Sequence, residues 1–589
     1  MALVRISVDG SQATIVADSL DQGSWAEIRR VVDLAGEDTR GVGASGVEMS
    51  LTTLLRSRQG LRLILGRLHR RGLISFSFDK GAIAALSDAT NRQKRVAAPG
   101  LRLNATEVMR NLAERHFLRE LKRYQADNVA QLATIPSGAT FSVPGAGKTT
   151  EALALYWLLR VDTNRLFVVC PKNAFAVWEE QVGLCLPGQT VTRLRGDNDA
   201  IERSLASRPD VALINYELVP RAQRVIGAYF LSVGVFLFVD ESHKIKGGGV
   251  MGTAVATLAP HAEYRLLLTG TPMPNSLDDL VPQFACLYPE INLDGQDIVS
   301  RFGGVFVRTT KSQLDLPKLR RRHIAVPLSP AQALLYQAMT KDFVEELRVL
   351  RPQDRLMFSK LGSSVMRLIQ AVSNPALLIR SWLGGHPLLA AASAMPGPKV
   401  ALACEIARHN ARRGEKTIIW TSFIENVLYI AASLSDLNAQ YIYGRVPTSE
   451  DDTDLDSREG KLRLFKEDSA CFVLVANPAA CAEAISLHRE CHRAVFVDRT
   501  YNAAQFLQSE DRIHRLGATQ PASSLILTSP GTIDDSIDRR LQMKIERMAD
   551  FLNDRALNIF SYDIEDPESV GIDDDDIADI RLMLQSYAP

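Results

Sequence analysis

Residues 2–8 and 13–17 alternate apolar and polar positions about Asp9-Gly10, a period of two that predicts a β-hairpin. A helix is expected from Ser24, read as its N-cap, through Val32. The stretch Ser50–Gly72 carries Leu54, Leu55, Leu61, Leu65 and Leu68 as an apolar stripe, while Gly60 and Gly66 argue against one continuous helix. A Gly/Pro-marked boundary lies near residues 98–104, and a helical pattern from Ala105 then leads to Leu121–Gln125. From residue 165 the pattern changes. Buried strands are read at the starts of 165–182 (which turns at Pro171-Lys172-Asn173 into a helix), 211–219, 236–249 and 265–275, with polar residues gathered where each apolar run ends. Between Thr310 and Gly397 the strand pattern stops. Ser329-Pro330 opens one helix there, Pro352 ends it, and a second runs from about Asp354 to Ser373. Alternation resumes at 416–426, 471–487, 493–502 and 524–532. Strands alternating with helices, with polar groups at strand C-termini, describe an α/β fold of parallel sheets with its site along one edge.

These shifts divide the chain into an N-terminal α+β accessory domain (1–104), a first lobe (105–310), a helical connector (311–396), a second lobe (397–550) and an acidic C-terminal tail (551–589). The 589 residues are enough for three or four domains. Sixty-eight Lys and Arg balance sixty-eight Asp and Glu, so any nucleic-acid surface must be a local patch. One candidate is the run of Arg56, Arg58, Arg62, Arg67, Arg70 and Arg71, with no acidic residue between Ser50 and Phe78. Arg56 and Arg67 are spaced to share a helical face, which serves either DNA phosphates or solvent. The seven cysteines form no CxxC pair, which suits a reducing compartment and argues against a zinc site or disulfide framework. The N-terminus has no basic-then-apolar signal pattern, and the longest apolar run, Ala152–Leu159, is too short to span a bilayer. A cytoplasmic location without a membrane partner is the expectation.

The chemistry centres on TFSVPGAGKTTEA, residues 140–152. A turn made of Pro144, Gly145, Ala146 and Gly147 opens a helix at Lys148, Thr149 and Thr150. Such a turn lets backbone N–H groups crowd a phosphate chain at the positive end of the helix dipole. Lys148 would reach the β- and γ-phosphates of ATP, and the Thr149 hydroxyl would sit on Mg²⁺. Ser142 stands where the usual pattern has Gly, so a plain strand-to-helix turn is the competing reading. About ninety residues later, Asp240 ends an apolar strand and would hold Mg²⁺, while Glu241 could orient and deprotonate the attacking water. Arg512 and Arg515, read on one helical face, offer positive charge for the transferring phosphoryl group, against the alternative of a surface helix paired with Asp511. Gln125 is an amide able to pair with an adenine edge.

Together these motifs resemble the Swi/Snf-type branch of helicase superfamily two. The resemblance rests on Leu121–Gln125, PGAGKT (144–149), DESH (240–243), LTGTP (268–272) and QSEDRIHRLG (508–517), in family order. Asn374-Pro375, 444–465, Asp498, Tyr501-Asn502 and 531–541 support it, over roughly Ala105–Asp550. It implies two RecA-like lobes joined by a helical connector, and a DNA-dependent ATPase that moves on duplex DNA, usually without separating strands. It assigns adenine reading to Gln125, hydrolysis to Lys148, Thr149, Asp240 and Glu241, arginine fingers to Arg512 and Arg515, and the DNA track to Lys172, Asn215, Thr271 and Ser422. Two departures stand out. Ser142-Val143-Pro144 replaces an acidic-acidic-Met lead-in, and Ala479–Ile485 replaces a Gly-rich segment. The rival expectations are a strand-separating DNA or RNA helicase, and a non-catalytic ATP-gated subunit with protein partners in a defence or repair complex.

Overall fold

A computed structural model describes residues 2–36, 38–97, 103–245, 249–274, 276–291, 298–349, 355–379, 387–447, 454–481 and 486–554. The acidic run 555–589 and residues 482–485 of the Ala479–Ile485 segment lie outside these.

The N-terminal module is a five-stranded sheet in the order Arg40–Gly41, Gly46–Ser50, Gln12–Asp18, Ala2–Asp9, Ile74–Phe78. The hairpin pairs Ile6 with Ile15 and sends Val4, Ile6, Ala13 and Ile15 into the core. The first helix begins earlier than its sequence suggested, at Gln22, because the Asp21 carboxylate, not Ser24, caps it by accepting the Ser24 N–H at 2.9 Å. Leu51–Arg70 is one continuous helix despite its two glycines. Gly60 has a packing role: a Cβ there would stand 2.6 Å from Val31 Cγ1, so the missing side chain lets this helix close on Gln22–Asp33. Leu54, Leu55, Leu61, Leu65 and Leu68 are all buried.

The chain forms two compact units, one of residues 1–143 with 147–309 and one of residues 310–589 with 144–146. The first contains the N-terminal module and a seven-stranded sheet in the order Phe306–Val307, Gly138–Thr140, Tyr264–Leu268, Val235–Asp240, Arg165–Val169, Val211–Ile214, Val191–Arg193. Every pairing is parallel. Helices cover both faces of such a sheet, which is why its central strands are unbroken apolar runs. The register sets Asp240 beside Leu268 and Val239 beside Val169, so Cys170, Asp240 and Thr269 emerge along one edge.

The second unit holds a six-stranded parallel sheet in the order Leu319–Ala325, Ala522–Thr528, Arg493–Phe496, Thr417–Trp420, Val473–Ala476, Gln440–Ile442. Its first strand corrects the expectation that 310–397 carries no strand. Leu319–Ala325 hides its nature behind Arg320, Arg321 and Arg322, because an edge strand needs no continuous apolar run. The helices Pro330–Val349 and Arg355–Ser373 follow as expected. Leu335, Tyr336, Met339, Val365, Leu368 and Val372 share a core with Ile533, Ile537 and Leu541 of the C-terminal helix Ile533–Leu552. A buried Lys399–Asp534 ion pair ties that helix to Pro398–Arg412.

Candidate nucleotide site

The phosphate loop leaves the strand Gly138–Thr140 and is held from the side by the neighbouring chain. Phe141 N–H donates to Val307 O at 2.9 Å and Val143 N–H to Thr309 O at 3.0 Å. Gly147, at φ +86°, caps the helix Lys148–Leu159. Two requirements meet at this glycine: the left-handed backbone, and the Gln125 amide, whose Nε2 would lie 2.4 Å from a Cβ. Gln125 is therefore packed against the loop, while its Oε1 accepts the Lys122 N–H at 2.9 Å. Lys148 Nζ donates to Ser142 O at 3.0 Å, across the turn formed by Pro144, Gly145 (φ +82°) and Ala146. Thr150 turns its hydroxyl to Gln181 Oε1 at 3.2 Å, whereas Thr149 is half-buried with its hydroxyl in no hydrogen bond among the described residues.

Asp240 ends its strand beneath the loop. Trp178 Nε1 donates to Oδ2 at 2.8 Å and the Glu241 N–H to Oδ1 at 3.0 Å. Burial first, then the Glu241 charge, push the Asp240 acid up to about 6, against the Trp178 hydrogen bond and the Lys148 charge. Glu241 sits at φ +51°, a left-handed conformation rare for a residue with a side chain. Its Oε2 is buried without a hydrogen-bond partner among the described residues, 3.4 Å from His243 Nδ1. His243 Nδ1 also lies 3.0 Å from Thr269 Oγ1, which accepts the Thr271 N–H at 3.1 Å. The Thr149 hydroxyl and the Asp240 carboxylate are hard oxygen donors of the kind Mg²⁺ takes, and the Glu241 oxygen, in no hydrogen bond among the described residues, suits a site that completes itself with a cation and its water.

The remaining candidates are scattered. Lys172 is exposed, 3.9 Å from Glu217, on the loop after Arg165–Val169. Asn215 is buried and accepts the Leu218 N–H at 3.0 Å, and the buried Thr271 hydroxyl has no partner among the described residues. Arg56 Nε donates to Pro289 O at 3.2 Å and Arg58 to Glu290 O at 2.7 Å, while Arg67 pairs with Glu27.

In the second unit the Ser422 N–H donates to Asp498 Oδ1 at 2.7 Å, and Asp498 Oδ2 accepts from Thr421 at 2.6 Å and Ser373 at 2.7 Å. Arg512 and Arg515 do not share a helical face, contrary to the sequence reading. The helix Ala503–Asp511 stops first, as Arg512 Nε folds back onto Gln508 O at 3.0 Å and takes up a carbonyl of the last turn. Arg515 follows in an irregular turn, where burial lowers the guanidinium pKa against the pull of Asp511.

Sequence reasoning missed Trp178, which reads as an ordinary core aromatic, and Glu151. The latter is fully buried in the loop helix. Burial pushes its acid up to about 7, against hydrogen bonds from Asn128 and Thr140 and the charge of Lys148.

Residues 135–303 match the family described as the SNF2-related domain. Human SWI/SNF-related matrix-associated actin-dependent regulator of chromatin subfamily A member 1 is 23% identical over 433 residues, covering 68% of this chain and 40% of the relative. The SWI/SNF chromatin-remodeling complex subunit snf22 of Schizosaccharomyces pombe is 24% identical over 450 residues, covering 68% and 26%. The chain thus spans less than half the length of these relatives. The Sulfolobus solfataricus SWI2/SNF2 ATPase core in complex with dsDNA is 22% identical, covering 75% of this chain and 94% of that one, with a TM-score of 0.32.

Proposed function

We propose that this SNF2-related protein is an ATP-driven translocase or remodeller of double-stranded DNA. The observation that carries the reading is the convergence of Lys148, Asp240 and Glu241: a loop lysine near enough to lower the Asp240 pKa, and a neighbouring carboxylate with a buried oxygen in no hydrogen bond among the described residues. In this reading the loop N–H groups and Lys148 bind the ATP phosphates, and Gln125 meets the adenine. Thr149 and Asp240 hold Mg²⁺, which when bound neutralises phosphate oxygens. Glu241 accepts the proton of the attacking water as the new O–P bond forms and the bond to the ADP oxygen breaks. Arg512 and Arg515 supply positive charge to the transferring group. Lys172, Asn215, Thr271 and Ser422 form the DNA track, with Arg67 as an accessory phosphate contact, while Arg56, paired with the Pro289 carbonyl, holds the helix in place.

Steady-state hydrolysis with duplex, single-stranded and forked DNA and with RNA tests the reading. Duplex DNA should stimulate most, with no strand displacement. Stimulation by RNA, or displacement of a strand, would favour a helicase, and absence of hydrolysis under all conditions would favour an ATP-gated subunit.

A further inference from the structure

Five polar residues beneath the phosphate loop close into a ring through their side chains and the Thr309 backbone N–H. Glu151 Oε1 accepts from Asn128 Nδ2 at 3.0 Å, and Asn128 Nδ2 also donates to Thr309 Oγ1 at 2.9 Å. The Thr309 N–H donates to Ser142 Oγ at 3.0 Å. Ser142 Oγ lies 3.1 Å from Thr140 Oγ1, which lies 3.2 Å from Glu151 Oε2. Thr140, Ser142, Glu151 and Thr309 are each buried.

Counting protons orders the ring. Each hydroxyl has one to give and the Asn128 amide has two. Both contacts of Thr140 are made at once when Ser142 donates to Thr140 and Thr140 donates to the Glu151 carboxylate. Both Asn128 protons and the Ser142 and Thr140 hydroxyl protons are then used within the ring. Such closed networks hold one geometry, whereas a half-satisfied one is costly.

The ring includes the first residue of the loop, the helix that follows it, and Thr309, after which the chain passes from the first unit to the second. Ser142 is also the position at which the sequence departs both from the usual Gly and from an acidic lead-in. A carboxylate at 142 could accept but not donate, and it would face Glu151 across Thr140, placing two buried carboxylates on one hydroxyl.

We propose that Glu151, Asn128 and Ser142 are positioning residues that lock the phosphate-loop lead-in to Thr309, with Glu151 supplying from the helix the acidic group missing from the loop. This inference rests on the ATPase reading for its consequence but not for its test. Ser142→Asp should raise the KM for ATP about tenfold with a much smaller change in kcat, since loop placement governs phosphate binding. Adding Glu151→Gln should restore most of the loss. In that double variant Asn128 donates to the oxygen of the new side-chain amide at position 151, whose NH₂ group donates to Thr140. Thr140 then donates to the new carboxylate at position 142, so the ring closes again with the two Thr140 contacts reversed. Should Ser142→Asp fail to fold, Thr309→Val removes one ring hydroxyl at constant shape and should raise KM about threefold.

Wild type and the three variants are to be compared by ATP KM and kcat, nucleotide titration and melting midpoint. Rescue in the double variant, or in its absence the KM-only loss in Thr309→Val, supports the lock. Additive losses together with an unchanged KM in Thr309→Val overturn it. If wild type hydrolyses no ATP, the ATPase reading falls, and rescue of the melting midpoint still decides the ring.

Discussion

Trp178 and Asp240 are joined by a hydrogen bond of 2.8 Å from the indole Nε1 to Oδ2, made where the tryptophan is fully buried. The indole N–H can only donate, so it fixes which carboxylate lone pairs stay available for a cation. Trp178→Phe should keep most of the packing and lose that orientation. The Mg²⁺ concentration needed for half-maximal hydrolysis should rise, and stability should fall by about 1–3 kcal/mol, the usual cost of leaving a buried charged partner short of a hydrogen bond. Mg²⁺ titration and urea unfolding measure the two effects, and an unchanged Mg²⁺ requirement counts against the role given to Asp240.

Gly147→Ala combines a left-handed backbone with a collision against the Gln125 amide. Nucleotide binding should be lost, with a destabilisation of about 1 kcal/mol or more from the backbone alone. Adding Gln125→Ala should relieve the collision but not the φ requirement. Nucleotide binding in the double variant equal to that of Gln125→Ala alone would show that the backbone conformation is not limiting.

Glu241→Gln should bind ATP and DNA and hydrolyse about 10²–10⁴-fold more slowly, the usual worth of a general base. The amide is close in shape, so the left-handed turn at 241 should persist. Single-turnover hydrolysis at the wild-type rate removes Glu241 from the mechanism.

Arg512→Ala and Arg515→Ala should each abolish duplex-stimulated turnover while leaving nucleotide affinity nearly unchanged. Arginine fingers are worth roughly 10³–10⁵-fold, and lysine should replace neither, lacking the planar fork. Hydrolysis with and without duplex checks this. Full stimulation in both variants excludes the finger role.

Arg56 and Arg67 should separate in DNA binding. Arg67 shares an exposed pair with Glu27 and can exchange it for a phosphate, so Arg67→Ala should reduce the salt slope by about 0.9. Arg56 donates to the Pro289 carbonyl within the first unit, so its loss should lower the melting midpoint more than the slope. Equal slopes for wild type and Arg67→Ala return the helix Leu51–Arg70 to a merely solvated role.

Both parallel sheets were legible because strands buried on two faces must be apolar throughout, as Leu166–Val169 and Leu237–Val239 are. Asp240 was legible for the same reason, as the first carboxylate after such a run. Leu319–Ala325 was not, because three successive arginines mask an edge strand. Nor was the helix end at Asp511, since the side chain that stops it folds back only in three dimensions. The Asn128–Thr309 contact joins residues about 180 apart, each ordinary by itself, and no local pattern announces it.

The strand Leu319–Ala325 pairs with Ala522–Thr528, roughly two hundred residues further along. On the ribosome the first sheet has all its strands before this one emerges, whereas the second cannot complete its edge until nearly the whole described chain has been made. A nascent chain halted before residue 522 would present an arginine-bearing strand with no neighbour. Its charges suit that interval, since basic side chains discourage a stray strand from joining it.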